Sequence, residues 1–432
     1  MKPIFYFLPP LFLAVSCASQ SHQTSNVKTH SSVTIKTEEQ VNFTQGEDVT
    51  LTFSNLLSLI QQGNSNLAGA RKIIDAAQGN LQMAGLKSNP TIEVELETTV
   101  DLSEPFLIAG ISQSFPRTNR LALEKQVSAT LVEAAVAEVS NVERLLLSEA
   151  REQLIEILAL RERKVLLEKQ ADNSQELANF ISEAAERGEA SILEVPTTVI
   201  EMNLLQNQAE QIHIQIELIQ AKLKPLLGIS SSTNLIIEDS LPPMKLPPMQ
   251  ISLPKNRPDL ITKQLQVKAA NENILLTQAE ESLDYDLGIF AGVGYAVDEP
   301  EDKETEGIVG IRFSIPLGNN PKTPGALREA RAQRDHLDLT ATALTQSITA
   351  EVSAAYNEMT QWHKLASRIN KNLIPKAQEN LVKINAAYQN GQVSLQEVLR
   401  AREQELSLKL SYLESRQKFH EANSFYLTSI NL

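Results

Sequence analysis

A chain of 432 residues, 42% hydrophobic and only 5% aromatic, has room for roughly two to three domains. Its 16 Gly and 19 Pro make about 8% of the chain, against roughly 12% in average usage, which excludes a turn-rich sandwich or propeller and favours long helices. The net charge of −14, from 53 acids against 39 bases, excludes nucleic acid as a partner, because phosphate binding needs a basic face.

Cys17 is the one cysteine, so neither an internal disulfide nor a thiolate zinc site can form. None of the six histidines stands four residues from another, so no metal site is expected. No catalytic constellation is visible and no cofactor is implied. Gly292-Val293-Gly294 lacks the lysine and helix start of a nucleotide loop.

Residues 1–16 read as a secretory signal peptide. Lys2 precedes an apolar run too short, and too interrupted by Pro9-Pro10, to span a membrane. Leu13-Ala14-Val15-Ser16-Cys17 resembles a bacterial lipobox, which implies cleavage before Cys17 and lipidation of it. Ala18 rather than Asp follows, which in that sorting pattern implies the outer membrane. Residues 17–50, rich in Ser, Thr, Gln and Asn, read as a lipidated, irregular tether. Beyond them no run of apolar residues is long enough for a spanning helix.

The rest of the chain is expected to be a duplication. Gly110-Ile111 with Ser114 and Pro116 returns as Gly310-Ile311 with Ser314 and Pro316, an offset of about 200. Gly188, Ser191 and Glu194-Val195 return as Gly391, Ser394 and Glu397-Val398, an offset of about 203. The first repeat is placed at 51–228 and the second at 257–432. Each opens with a helix (about 54–87 and 257–283), followed by two strands (about 90–100 with 106–115, and 286–297 with 307–316). A very long helical stretch comes next (about 120–187 and 324–390), then a glycine break, then a helix to about 227 or 428. Val132, Val136, Val139, Val142 and Leu146 keep to one helical face. No Pro or Gly interrupts Leu121 to Arg187, a span of about 100 Å at 1.5 Å per residue. Such a helix must pack lengthwise on similar helices, as a coiled coil or α-barrel. A connector at 229–256, with Pro242-Pro243 and Pro247-Pro248, is expected to be extended.

The strands suggest a membrane. Ile92, Val94 and Leu96 alternate with Glu93, Glu95 and Glu97, and Leu287, Ile289, Ala291 and Val293 alternate with Gly288, Phe290, Gly292 and Gly294. Two-faced segments of about ten residues fit a transmembrane β-barrel, or equally a soluble sheet with one wet face. Four strands cannot close a barrel, and open edges are not tolerated in lipid, so several chains would have to share one.

Val309 to Leu317, followed by Gly325-Ala326-Leu327-Arg328-Glu329-Ala330-Arg331, resembles the TolC-like outer-membrane efflux protein family. Asn256-Arg257-Pro258-Asp259-Leu260, Ser88-Asn89-Pro90 and Tyr388-x-x-Gly391-x-x-Ser394 match further motifs of that family. The chain is most similar to the branch serving metal-cation exporters of the resistance-nodulation-division class. The resemblance implies a mainly α protein with a small β part: long antiparallel hairpins forming an α-barrel, and four strands per chain joining a trimeric twelve-stranded barrel. It implies a homotrimer in outer-membrane lipid of a Gram-negative bacterium, docked through a periplasmic adaptor (membrane fusion protein) on an inner-membrane pump of that class. Such a channel passes small solutes, metal cations or drugs among them, and catalyses nothing.

On that basis Glu93, Glu95 and Glu97 are pore-lining candidates. Gly188, Ser191, Gly391 and Ser394 are candidates for adaptor-contacting tips, and Glu194 and Glu397 for a ring near the tips. Asp298, Glu299, Glu301, Asp302, Glu304 and Glu306 crowd an inter-strand segment that the resemblance makes extracellular. A different reading is a lipid-tethered periplasmic coiled-coil scaffold or adaptor without a pore. An adaptor, however, carries one helical hairpin between β-rich domains, whereas this chain has two.

Overall fold

The computed structural model describes residues 48–98, 105–249, 255–298 and 302–431. Cys17, the signal and most of the tether lie outside them, as do Glu299 and Glu301.

Helices dominate because long stretches lack breakers. α1 (Leu56–Gly63) and α2 (Ser65–Met83) precede strands β2 and β3; α3 (Arg120–Glu186) then runs for 67 residues and turns back as α4 (Glu194–Leu226). The second half follows the same order. α5 (Pro258–Ala279) precedes strands β5 and β6, and α6 (Thr323–Arg368), a π-helical turn (Ile369–Leu373) and α7 (Ile374–Gln389) are followed by α8 (Leu395–Ser429). Two further three-residue strands, β1 (Val49–Leu51) and β4 (Leu235–Ile237), lie outside this repeated plan.

Three details depart from the sequence reading. The first helix breaks at Asn64, whose side chain accepts from Leu67 N at 2.8 Å and so caps α2 while its own amide donates to Leu226 O. The second long helix is not continuous. Pro375 has no N–H for the carbonyl one turn back, and the chain widens into the π turn just before it. Finally, β1 and β4 pair in parallel, so the tether's last residues and the connector are partly strand. The connector lies against the helices: Leu241 is buried, Arg161 donates to Ile237 O, Arg416 to Leu241 O, and Tyr426 to Pro248 O.

Each hairpin is zipped by an apolar seam. Leu205, Ala209, Ile212, Ile216, Ile219 and Leu223 of α4 step alternately by four and three, the spacing of a coiled-coil seam. They join Leu154, Ile157, Leu158 and Leu167 of α3 in the largest core. Ile348, Val352, Ala355 and Met359 of α6 meet Phe419, Ala422 and Tyr426 of α8 in a second. The valine stripe expected on α3 is buried only at its end: Leu146 is 8% exposed and Val136 39%.

Arg257, 5% exposed, anchors the start of α5. It is held by Asp259, by Glu351 of α6 at 2.9 Å and by Ser429 O of α8, while Arg144 of α3 reaches Asp259 and Thr428 O. Burial opposes the charge on Arg257, but the hydrogen bonds to Asp259 and Glu351 outweigh it and raise the pKa. The Asn-Arg-Pro-Asp segment therefore ties four helices together.

Candidate pore face and helical tips

β2 (Thr91–Glu97), β3 (Phe106–Phe115), β5 (Tyr285–Asp298) and β6 (Asp302–Ser314) form one antiparallel sheet in that order. β6 begins at Asp302 rather than near 307, because backbone pairing with β5 continues to Asp298 opposite Asp302. Most of the expected acidic loop is thus strand. The outer edges of β2 and β6 pair with no described strand.

The register assigns the two faces. Ile92 opposes Ile111, Ile111 opposes Ile289, and Ile289 opposes Ile311, a row of four isoleucines across the sheet. Alternation brings Val94, Leu96, Leu107, Leu287, Val293, Val309 and Phe313 to the same face. All eleven side chains are exposed, from 43% at Leu287 to 86% at Val309. Leu287 to Val293 alone covers about 20 Å at 3.4 Å per residue. At the helical end of this face Tyr285 packs against Phe115 at 5.7 Å and Phe313 at 5.6 Å, with the Lys87 ammonium over Phe115. An apolar band bordered by aromatic rings and a long cation is the pattern of a membrane-facing strand surface.

The opposite face carries Glu93, Glu95 and Glu97, and it holds a partner that the sequence reading did not assign. Arg312 of β6 donates from Nη1 to Glu93 Oε2 at 2.6 Å and from Nη2 to Glu95 Oε2 at 3.4 Å. β6 and β2 are the two outer strands, three strand spacings or about 14 Å apart. Two extended side chains cover that span by lying along the face. Gly288, beside Arg312 in register, offers no side chain in the way. The second Glu93 oxygen accepts from Ser112 Oγ at 2.8 Å, and the Arg312 guanidinium lies 5.5 Å from the Phe290 ring. Phe290 in turn covers Gly310, where an added Cβ would stand 2.5 Å from the ring. The signal for Arg312 was available: it alternates with Ile311 and Phe313 and so belongs to the polar face.

The tips are built alike. Gly188 and Gly391 take left-handed φ of 72° and 68°. In the first, Gly188 N donates to Ala185 O and Glu189 N to Ala184 O; in the second, Gly391 N donates to Tyr388 O and Gln392 N to Ala387 O. Both are Schellman ends, which a glycine accommodates without strain. Ser394 and Glu397 form a reciprocal capping box at the start of α8. Ser191 Oγ accepts from Leu193 N. Glu194 does not stand alone: Tyr388 OH donates to it at 2.6 Å, linking the two hairpins. Burial, then this hydrogen bond, raises the Tyr388 pKa. Leu177, Ile181, Leu395 and Val398 pack beneath, while Ile192 and Leu193 point outward, 63% and 79% exposed.

Among the described residues no group of three or more His, Cys, Asp or Glu is placed to hold a metal ion. No described helix is long and apolar enough to cross a membrane.

Residues 252–424 match the family model "Outer membrane efflux protein". A curated relative, the cobalt-zinc-cadmium resistance protein CzcC of Cupriavidus metallidurans, is 21% identical over 383 residues, 84% of this chain and 86% of the relative. The fold matches CusC (TM-score 0.71, 16% identity, 90% of this chain and 96% of that one), a protein described as undergoing folding and transmembrane channel formation. It matches the outer membrane protein VceC of Vibrio cholerae (0.69, 16%, 88% and 95%) and the MtrE outer membrane channel of Neisseria gonorrhoeae (0.66, 14%, 88% and 88%). Over residues 252–424 by family model, and along most of its length by relative and by fold, the chain is similar to outer membrane efflux proteins.

Proposed function

We propose that the protein is the outer-membrane channel of a tripartite efflux system. Three copies would supply twelve strands to one barrel, and their hairpins a tunnel through the periplasm. The observation that carries this reading is the four-stranded sheet itself. One face is apolar and exposed along its whole width, and the outer edges of β2 and β6 pair with no described strand. Water disfavours the first and lipid forbids the second, and edge-to-edge joining of like sheets inside a bilayer resolves both.

In this reading Glu93, Glu95 and Glu97 face the lumen. Gly188, Ser191, Gly391 and Ser394 shape the tips that meet a periplasmic adaptor, with Glu194 and Glu397 beside them. Ile192 and Leu193 offer that adaptor an apolar contact. An inner-membrane pump supplies the energy, and Cys17 carries the lipid anchor. The two halves, 51–228 and 257–432, act as equivalent hairpin units joined by the connector at 229–256. Metal cations are the cargo class favoured by the cobalt-zinc-cadmium resistance relative and by the acidic strand face.

Purified protein added to a planar lipid bilayer tests the proposal. Discrete conducting steps are expected. A bilayer that stays silent while the protein is shown to be bound would contradict the channel and favour a scaffold.

A further inference from the structure

The acidic strand face carries less net negative charge than its carboxylates alone would give, because one cation is folded into it. Register places Thr91, Glu93, Glu95 and Glu97 of β2 on the same face as Ser112 of β3, Asp286 and Phe290 of β5, and Glu306 and Arg312 of β6. Of these described groups only Arg312 is positive. Its guanidinium has three partners: Glu93 at 2.6 Å, Glu95 at 3.4 Å and the Phe290 ring at 5.5 Å. Glu93 is held in turn by Ser112. The three charged side chains are 42% to 49% exposed, so a solute passing along this face meets the cluster directly. Glu97 lies in the row of Glu306, at the far end of the face from Arg312.

We propose that Arg312 is a specificity-determining residue of the channel: clasped by Glu93 and Glu95, it offsets their charge and sets how strongly the lumen prefers cations to anions. The proposal rests on the channel reading above. With Arg312 in place the four residues Glu93, Glu95, Glu97 and Arg312 sum to two negative charges per chain; without it they sum to three. The added charge is repeated in every copy around the pore, and permeant ions within a Debye length of it are attracted or repelled accordingly. Arginine suits the position because its planar fork reaches two carboxylates at once and stays charged at any working pH.

The test is the reversal potential of wild-type and variant channels in a planar bilayer under a tenfold KCl gradient. Arg312→Gln is expected to raise the cation-to-anion permeability ratio by about threefold at low salt, the raise fading at high salt as screening grows. Arg312→Lys, which keeps the charge but not the fork, is expected to restore the wild-type ratio. Glu93→Gln with Glu95→Gln releases Arg312 from its partners and is expected to move the ratio toward anions. If Arg312 only braced the sheet, Arg312→Gln would lower the yield or lifetime of channels and leave the ratio unchanged. A conducting Arg312→Gln channel with the wild-type ratio would overturn the proposal. Should Arg312→Gln fail to assemble, an unchanged ratio in the Glu93→Gln, Glu95→Gln channel would overturn it instead. Silence of the wild-type protein would overturn the channel reading and this proposal with it, whereas a conducting wild type with unresponsive variants overturns this proposal alone.

Discussion

Replacing Ile289 by lysine separates a lipid-facing sheet from a water-facing one. Ile289 is 62% exposed and lies at the centre of the isoleucine row, with Ile111 on one side and Ile311 on the other. On a water-facing surface, Ile289→Lys would change stability by no more than about 0.5 kcal/mol. Near the middle of a bilayer, a lysine on the lipid face of a barrel costs about 2–4 kcal/mol. That is roughly 30- to 900-fold against insertion per chain, at 1.36 kcal/mol per factor of ten. In the proposed trimer the change would be carried three times. The assay folds urea-unfolded protein into lipid vesicles and measures the protease-resistant fraction that floats with the lipid. Wild type is expected to float; the variant is expected to remain largely unassembled. A variant that floats and resists protease as wild type does would refute the lipid-facing assignment.

Acid is expected to weaken the helical body through His420. Burial at 4% exposure, and then the charge of Arg416, lower its pKa from an ordinary 6.5 to about 4. The unfolded chain therefore binds a proton that the folded chain refuses. Stability is complete above pH 6.5 and falls as the pH drops from 6.5 to about 4, by about 3 kcal/mol at most for this group. Thermal unfolding of wild type and His420→Phe at pH 7 and pH 4.5 should show a smaller acid loss in the variant; equal losses would remove His420 from the account. Arg257→Met leaves Asp259 and Glu351 without their buried cation, and a loss of about 3 kcal/mol is expected in a denaturant titration. A loss under about 0.5 kcal/mol, the range of a surface substitution, would deny Arg257 its anchoring role. Cys17→Ala is expected to abolish incorporation of labelled palmitate, and unchanged labelling would refute the lipid anchor.

What the sequence disclosed follows the range of the forces involved. The long helices were legible because α3 has no Gly or Pro between Leu121 and Arg187, and their ends because Gly188 and Gly391 supply the left-handed residue that a Schellman end uses. The strand faces were legible because side-chain alternation is local to each strand and can be read before its neighbours are known. Features set by distant partners were not. β1 and β4 are too short to alternate, and each is defined by the other across nearly the whole first half. The start of β6 resembles a loop, since Asp302-Lys303-Glu304-Thr305-Glu306 is poor in strand formers, yet pairing with β5 carries it. Asn64 interrupts the first helix through a contact with the Leu226 carbonyl, which apolar periodicity does not record, whereas Pro375 is a local breaker that the apolar pattern alone runs across. Among the candidate site residues, the glycines and serines of the tips could be found from their repeat. The pairings Arg312 with Glu93 and Tyr388 with Glu194 join residues about 200 positions apart, and only the fold brings them together.

In the proposed channel, like sheets join edge to edge in the outer membrane. The measurement that tests it most directly is the native mass of the protein extracted from isolated outer membranes, with bound detergent subtracted. A mass of about three chains in the membrane extract is expected. A single-chain mass, with the protein recovered from the soluble periplasmic fraction, would contradict it.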